Sequence, residues 1–309
     1  MLIEQQLLDE YKKYDYLNKD REHPLVKILV SYIKPSFLFK SEILTPIQLG
    51  KAVEGADSKD GVQSEKNLKW LQQNCEFNDD FKGGISEYNR RIGFLTGTYW
   101  AWKNYEKLGN PKYFGSMGYR KLFDSKYFLE LMKYDAIIPA IEINDHARTN
   151  MERYLYSRDK NMVDLTVKVM KKFHPDDMNL FDEYFKMKAG YYHEMYIMKK
   201  NIFFNFCDWI FPMMFELLKY CHEDFMPDKN EMNLVQQVQS TYDIRDVAFV
   251  MERLTGLYCY KLTEDKNLKT VKGTYHIFRN QEEEYKNKLK VIDILRKRNK
   301  ELVKHGTTE

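Results

Sequence analysis

The sequence predicts an α/β fold, a mixed sheet flanked by helices and followed by a helical C-terminal part, and three observations predict it. Leu25 to Ile33, LVKILVSYI, is apolar and β-branched enough for an interior strand and stops at Lys34-Pro35-Ser36. Ser86 to Phe123 holds, in order, a helix-period segment, a Gly-Asn-Pro stop, a short aromatic strand and a basic loop. Asn201 to Tyr220 and Thr241 to Tyr260 carry apolar residues at helical spacing, the second with Val247, Val250, Met251, Leu254, Leu257 and Tyr258 as its buried stripe.

Residues 1–24 read as a helical extension ahead of the fold. Leu7, Leu8, Tyr11 and Tyr14 keep helical spacing until His23-Pro24 breaks it. After the first strand, Thr45-Pro46-Ile47-Gln48-Leu49-Gly50 carries proline and glycine and reads as a loop or helix start. Asp57 to Asp80 is a polar connection anchored by Trp70 and Leu71, long enough for a lid, with Lys82-Gly83-Gly84 as its hinge.

Within the central unit Ser86 can cap a helix in which Gly93, Gly97 and Ala101 share one face and Ile92, Leu95, Tyr99 and Trp102 another. Each glycine inside a helix costs roughly 1 kcal/mol against alanine, so something should approach that small face closely. Leu108-Gly109-Asn110-Pro111 ends the helix, Tyr113 to Met117 is a buried strand, and Gly118-Tyr119-Arg120-Lys121 is expected to leave the sheet. Ligands of open α/β sheets bind beyond the carboxyl ends of strands. Two cations there suit a phosphorylated ligand.

Tyr134 to Ala140 reads as a further strand. Ile141 to Tyr156, with Glu142, Asp145, His146, Arg148 and Arg153, has no period and reads as an acceptor-side loop. Helices are expected at Asn161 to Phe173 and at Met178 to Met187, the latter capped by Asp176-Asp177. Gly190 to Met198 reads as a partly buried strand with His193-Glu194 at its centre. That pair is the acid/base candidate, because a carboxylate beside imidazole orients it and raises its basicity. Neighbours in a strand point to opposite faces, so a core histidine bonded to backbone is the competing reading. The tail Gln281 to His305 carries Tyr285, Leu289, Ile292, Leu295 and Leu302 along one side and a cluster of lysines and arginines. It can pack on the domain, pair with another chain as a homodimer, or rest on an anionic membrane as a peripheral contact.

Composition removes several classes. Lysine and arginine exceed aspartate and glutamate by 49 to 46, a net charge of +3, and no nucleic-acid motif is present, so a nucleic-acid partner is not expected. The four cysteines, Cys75, Cys207, Cys221 and Cys259, form no CxxC pair and suit a reducing cytoplasm. The first residues are charged throughout and no window approaches the roughly 20 apolar residues of a membrane span, so the expected location is cytoplasmic.

Four blocks in order, TPIQLGKA at Thr45 to Ala52, LTGTYWAWKN at Leu95 to Asn104, YFGSMGYRKLF at Tyr113 to Phe123 and YYHEMYIMKKNIFFNFCDWIFPMMFELLK at Tyr191 to Lys219, resemble a bacterial family. It is the family of capsular and exopolysaccharide synthesis proteins long filed as a domain of unknown function and regarded as glycosyltransferases, galactofuranosyltransferases among them. The resemblance covers about Ile28 to Leu262. It implies a GT-A-like, Rossmann-type domain at 25–262, between the N-terminal extension 1–24 and a basic amphipathic tail 263–309. It further implies transfer of a sugar, galactose or galactofuranose among the candidates, from a UDP-type donor to a hydroxyl of a surface glycan or lipid-linked glycan.

By the same resemblance Tyr32, Lys34, Ser36 and Gln48 lie beside the nucleotide. Thr96, Gly97, Trp100, Lys103, Asn104, Tyr119, Arg120, Lys121 and Arg253 complete the nucleotide-sugar site, with His193 or Glu194 as base. The chain departs from the family pattern at Gly118, where histidine is usual, and at Lys121, where a second arginine is usual. It also lacks the Asp-any-Asp motif that holds a metal in most GT-A enzymes. The expectation is therefore a metal-independent site in which Arg120 and Lys121, helped by Lys34 or Lys103, balance the leaving diphosphate. A non-catalytic nucleotide-sugar-binding or scaffolding protein of a polysaccharide-assembly complex is the alternative.

Overall fold

The computed structural model describes residues 3–20, 22–53, 57–58, 61–62, 64–157, 160–221 and 245–278. The expected helical tail Gln281 to His305 and the start of the helix expected from Thr241 lie outside them. In chain order the elements begin with α1 (Ile3–Lys12), β1 (Val26–Tyr32), β2 (Leu44–Gln48), the small hairpin β3 (Asp57–Ser58) and β4 (Gly61–Val62), α2 (Glu65–Asn74) and β5 (Phe77–Asn78). The central unit follows as α3 (Asn89–Ile92), α4 (Leu95–Lys103), β6 (Tyr113–Gly118) and β7 (Lys121–Phe123). Then come β8 (Ala136–Pro139), β9 (Glu142–Ile143), α5 (Asn150–Ser157), α6 (Lys160–Phe173), α7 (Met178–Lys186), β10 (Ala189–Gly190) and β11 (Tyr196–Lys199). The chain closes with α8 (Lys200–Cys221), α9 (Asp246–Glu264), β12 (Thr270–Gly273) and β13 (Tyr275–Ile277).

The main sheet runs β12-β8-β11-β6-β1-β2-β5, with β7 and β13 extending it beside β6. Strands β5, β2, β1 and β6 are mutually parallel, β12 is parallel to β8, and β11 runs antiparallel to both its neighbours. Side chains alternate between two cores, as the period of a strand requires. Leu29, Phe114, Ala136, Ile138, Tyr196 and Met198 face the helices α4, α6, α8 and α9. Ile28, Val30, Met117, Ile137 and Ile197 face α1 and the turn of 3-10 helix at Ser125–Lys133.

Several expectations change. Residues Thr45 to Gln48 are strand rather than loop; the missing N–H of Pro46 is tolerated because its neighbour β5 is two residues long, while the Pro46 carbonyl still accepts from Glu76 N–H at 2.9 Å. The supposed lid contains α2 and the edge strand β5. The extension joins the core: Leu7, Leu8 and Tyr11 are buried, and the Tyr11 hydroxyl donates to the Phe123 carbonyl at 2.9 Å. Strands β12 and β13, beyond the boundary expected at 262, pair with β8 and β7. The helix expected from Ser86 is broken at Gly93, whose φ of 60° is left-handed, and the Ser86 hydroxyl is bonded to Asp79 instead of capping. Only Gly97 keeps its expected meaning: a Cβ there would lie 2.8 Å from Leu49 Cδ2, so α4 closes on the end of β2.

The same close approach recurs on α9. A Cβ on Gly256 would collide with the Tyr191 carbonyl and the Tyr184 hydroxyl, so glycine allows α9 to lie against the segment that enters β11. Gly256→Ala is expected to cost about 1–3 kcal/mol of stability, the usual penalty for overpacking. Urea unfolding at neutral pH measures it.

Candidate active site

The carboxyl ends of the parallel strands share one edge of the sheet, and a cluster of ionisable groups lies there. β6 ends in a tight turn at Tyr119-Arg120, so the chain does not leave the sheet as expected but returns as β7, pairing Gly118 with Lys121. The chain runs from β8 into β9 and from β12 into β13, which puts Glu142 and Tyr275 at this edge. β11 runs the other way, so the residues before it, His193 and Glu194, arrive here too. α9 descends from this edge toward β12 and brings Glu252 in its second turn.

The strand expected over Gly190 to Met198 is instead two short strands joined by a turn. His193 and Glu194 have φ of 81° and 51°, the left-handed region that side chains other than glycine rarely adopt. Two such residues in succession cost of order 1–3 kcal/mol each and persist where surroundings over-determine them. The determinants are visible. His193 N–H donates to Glu252 Oε1 at 3.2 Å, and its ring bridges Lys121 Nζ, 2.5 Å from Nδ1, and Glu142 Oε1, 2.8 Å from Nε2. The Tyr275 hydroxyl donates to the same Glu142 oxygen.

An ammonium group only donates, so Nδ1 accepts from Lys121 and Nε2 carries the proton toward Glu142. The imidazole is thus held neutral. Burial, then the Lys121 charge, lower its proton affinity against the pull of Glu142. Burial likewise lowers that of Lys121, opposed by Glu252. For Glu142 burial works upward, but the hydrogen bonds from Tyr275 and His193 prevail and hold it below the usual carboxylate range. Glu194 is the opposite case. Its Oε1 is sealed from solvent without a hydrogen-bond partner, and burial followed by the charge of Glu252 pushes its proton affinity well above the ordinary value. Four acids and bases side by side therefore have environments that drive their protonation apart.

The other sequence-derived candidates are distributed unevenly. Lys34 and Ser36 follow β1 at the carboxyl edge, Ser36 exposed. Tyr32 is wholly buried, stacked on Tyr119 at 5.3 Å, with its hydroxyl donating to the Phe37 carbonyl and accepting from Phe39 N–H. It shapes the floor between β1 and β6, where the strand order reverses, and leaves no ring face for a base. Gln48 is buried at the end of β2. Thr96 is buried and bonded to Asn89 at 2.9 Å. Gly97 and Trp100 lie inside the core beside Leu49 and Phe77. Lys103 and Asn104 do not join Lys121. They end α4 next to the Tyr105 turn that leads into the start of β6, at the amino edge of the sheet, and the Lys103 ammonium rests 3.4 Å over the Trp102 ring. Arg120 is exposed at the β6–β7 turn. Arg253 donates to the Phe249 carbonyl at 2.8 Å and lies 4.7 Å over Tyr154. Asp79, near the end of the connection read as a lid, is buried and consumed by Gly50 N–H, Lys51 N–H and Ser86.

Glu142, Glu252 and Tyr275 are the members that sequence reasoning did not select. Glu142 stood in a stretch without period and Glu252 beside Arg253, which drew the attention. Tyr275 carried no signal, because its partner is 133 residues away. No group of three His, Cys, Asp or Glu side chains among the described residues is arranged to hold a metal ion. No helix among them is long and apolar enough to cross a membrane.

The proton on Glu194 has a measurable signature. Its folded-state affinity exceeds that of the unfolded chain, so as pH rises above about 4.5 the unfolded state releases a proton that the fold retains, and stability falls. Glu194→Gln removes this dependence. The stability of the variant relative to the parent is expected to rise between pH 5 and pH 8, by up to about 1.4 kcal/mol per pH unit, in urea titrations at each pH.

Comparison with known proteins agrees with this architecture. A solved structure described as the apo form of the bifunctional glycosyltransferase WbbM superposes with a TM-score of 0.60 at 23% identity, over 82% of this chain and 45% of that one. The likeness is one of fold, and the chain spans less than half the length of that enzyme. Comparison with curated proteins finds no match. The family model described as a domain of unknown function, DUF4422, matches residues 27–265, and with most of its length covered the chain belongs to that family.

Proposed function

We propose that the protein is a glycosyltransferase that moves a sugar from a nucleoside-diphosphate donor, UDP-linked in the favoured reading, to a hydroxyl of a bacterial surface glycan. The observation that carries the reading is the cluster of Lys121, His193, Glu194 and Glu252 at the carboxyl edge, beside the point between β1 and β6 where the strand order reverses. Open α/β sheets bind nucleotides in that crevice. The family membership, the fold shared with a solved glycosyltransferase and the block resemblance support the same assignment.

In this reading Arg120 and Lys121 face the diphosphate. Positive charge held in place where a leaving group gains negative charge lowers the barrier without reorganisation during the reaction. The turn after β6 holds cations and no carboxylate, which favours charge balance by side chains over a metal. Lys121 is aimed by the imidazole behind it. His193, with both ring nitrogens engaged, orients rather than abstracts. Glu194, its proton affinity raised by burial and by the charge of Glu252 and its Oε1 sealed from solvent, shapes the electrostatics behind the cluster rather than touching the substrate. Glu252, half-buried and with one oxygen on the His193 amide, is the carboxylate placed to take the acceptor proton.

Purified protein with chelator should bind one nucleoside diphosphate in calorimetry and release it from a nucleotide sugar when a glycan acceptor is present. Lys121→Ala is expected to lower turnover by about 10²–10³-fold, and Arg120→Ala chiefly to weaken diphosphate binding. Activity that disappears in chelator and returns with manganese would refute the side-chain charge balance. Binding without transfer for any acceptor would favour the scaffolding alternative.

A further inference from the structure

Tyr275 lies outside the stretch that defines the family, which ends at residue 265, yet it closes the network beneath Lys121. β13 reaches the site by pairing with β7: Tyr275 lies opposite Phe123, and Ile277 opposite Lys121. The Tyr275 ring meets the His193 ring edge-on at 5.4 Å. Its hydroxyl and His193 Nε2 converge on one oxygen, Glu142 Oε1. Burial, then the bond to Glu142, keep the phenol protonated above its ordinary range, so it remains a donor.

We infer that Tyr275 is a positioning residue: by holding Glu142 against Nε2 it reinforces the Nε2–H tautomer that the Lys121 ammonium sets at Nδ1, and His193 Nδ1 in turn aims that ammonium into the crevice. The chain of donors runs Lys121 to His193 to Glu142, met from the far side by Tyr275. Each member comes from a different element. Lys121 starts β7, Glu142 starts β9, His193 sits in the left-handed turn before β11, and Tyr275 starts β13. The groups facing the imidazole are Lys121, Glu142 and Tyr275, with Glu252 on α9 holding its backbone. Of the two donors to the carboxylate, the phenol is the one that keeps its proton throughout the neutral range. It therefore anchors Glu142 while leaving the charge of the network unchanged. The strand supplied after the family domain thus completes the cation site.

The inference deepens the transferase reading and rests on it for its effect on turnover, but its structural core can be tested without turnover. Nitrogen-15 imidazole spectra of the full-length protein, with His193→Gln used to assign the resonance, report the tautomer directly. The parent is expected to show an unprotonated Nδ1 and a protonated Nε2 at pH 7, with titration below the ordinary 6.5. In Tyr275→Phe the two ring-nitrogen shifts should draw together and the titration move by half a unit or more. A parent resonance in the Nδ1–H or imidazolium form at pH 7 overturns the inference without any variant. So does a Tyr275→Phe protein, folded by circular dichroism, whose His193 shifts and titration match the parent. With nucleotide sugar and acceptor, Tyr275→Phe should lower kcat about tenfold with KM for the donor within twofold. An unchanged kcat in the presence of altered shifts also overturns the positioning role. Absence of turnover in the parent counts against the transferase reading and leaves the spectra to decide the network.

Discussion

The left-handed turn at His193 and Glu194 is the constraint on which the site depends. Two consecutive residues other than glycine occupy strained backbone, with φ of 81° and 51°, and the turn directs both side chains to the carboxyl edge of the sheet. An ordinary strand at this point would send them to opposite faces. The strain is offset by interactions that converge from four elements: the Glu252 carboxylate on the His193 amide, the Lys121 and Glu142 contacts to its ring, and the Tyr275 contact behind Glu142. Gly256, one turn beyond Glu252, lets α9 lie close enough to reach the amide. Remove the close approach and the turn loses its partner.

The electrostatic consequence is a site whose members are pushed in different directions in their hold on a proton. Burial lowers the proton affinity of Lys121, and the carboxyl groups that face it from β9, α9 and the turn oppose that loss. Gathering carboxylates in a poorly solvated place raises the cost of ionising them, and Glu194, the one with an unpartnered oxygen out of contact with water, holds its proton well above the ordinary carboxylate range. A lysine, an imidazole bonded at both ring nitrogens, an acid of raised proton affinity and a carboxyl on the more open side then stand together. Such an arrangement suits a reaction in which a diphosphate departs and a hydroxyl loses a proton.

Much of the fold was legible where local pattern and burial agree. Val26–Tyr32 and Tyr113–Gly118 became central strands because apolar and small residues there serve two faces, and the apolar stripe of Asp246–Glu264 became a buried helix face. What local pattern missed was set by distant partners. The apolar frame of Gly190 to Met198 reads as a strand, and only the contacts of His193 with residues 51, 59 and 72 positions away make a turn of its centre. Gly93 breaks a helix that its neighbours would continue, because its left-handed φ redirects the chain. Of the site, Lys121, Arg120, His193 and Glu194 could be selected from residue type and the strand before them. Lys103 could not be dismissed from sequence, since only the direction of α4 shows that it ends at the opposite edge.

The most direct test of the account is a crystal structure of the protein with a nucleoside diphosphate. The account predicts the diphosphate at the carboxyl edge, within hydrogen-bond distance of Lys121 Nζ, with the nucleoside toward the ends of β1 and β2. A diphosphate bound instead in the groove at the amino edge, which Lys112, Lys199 and Lys200 line, would contradict it.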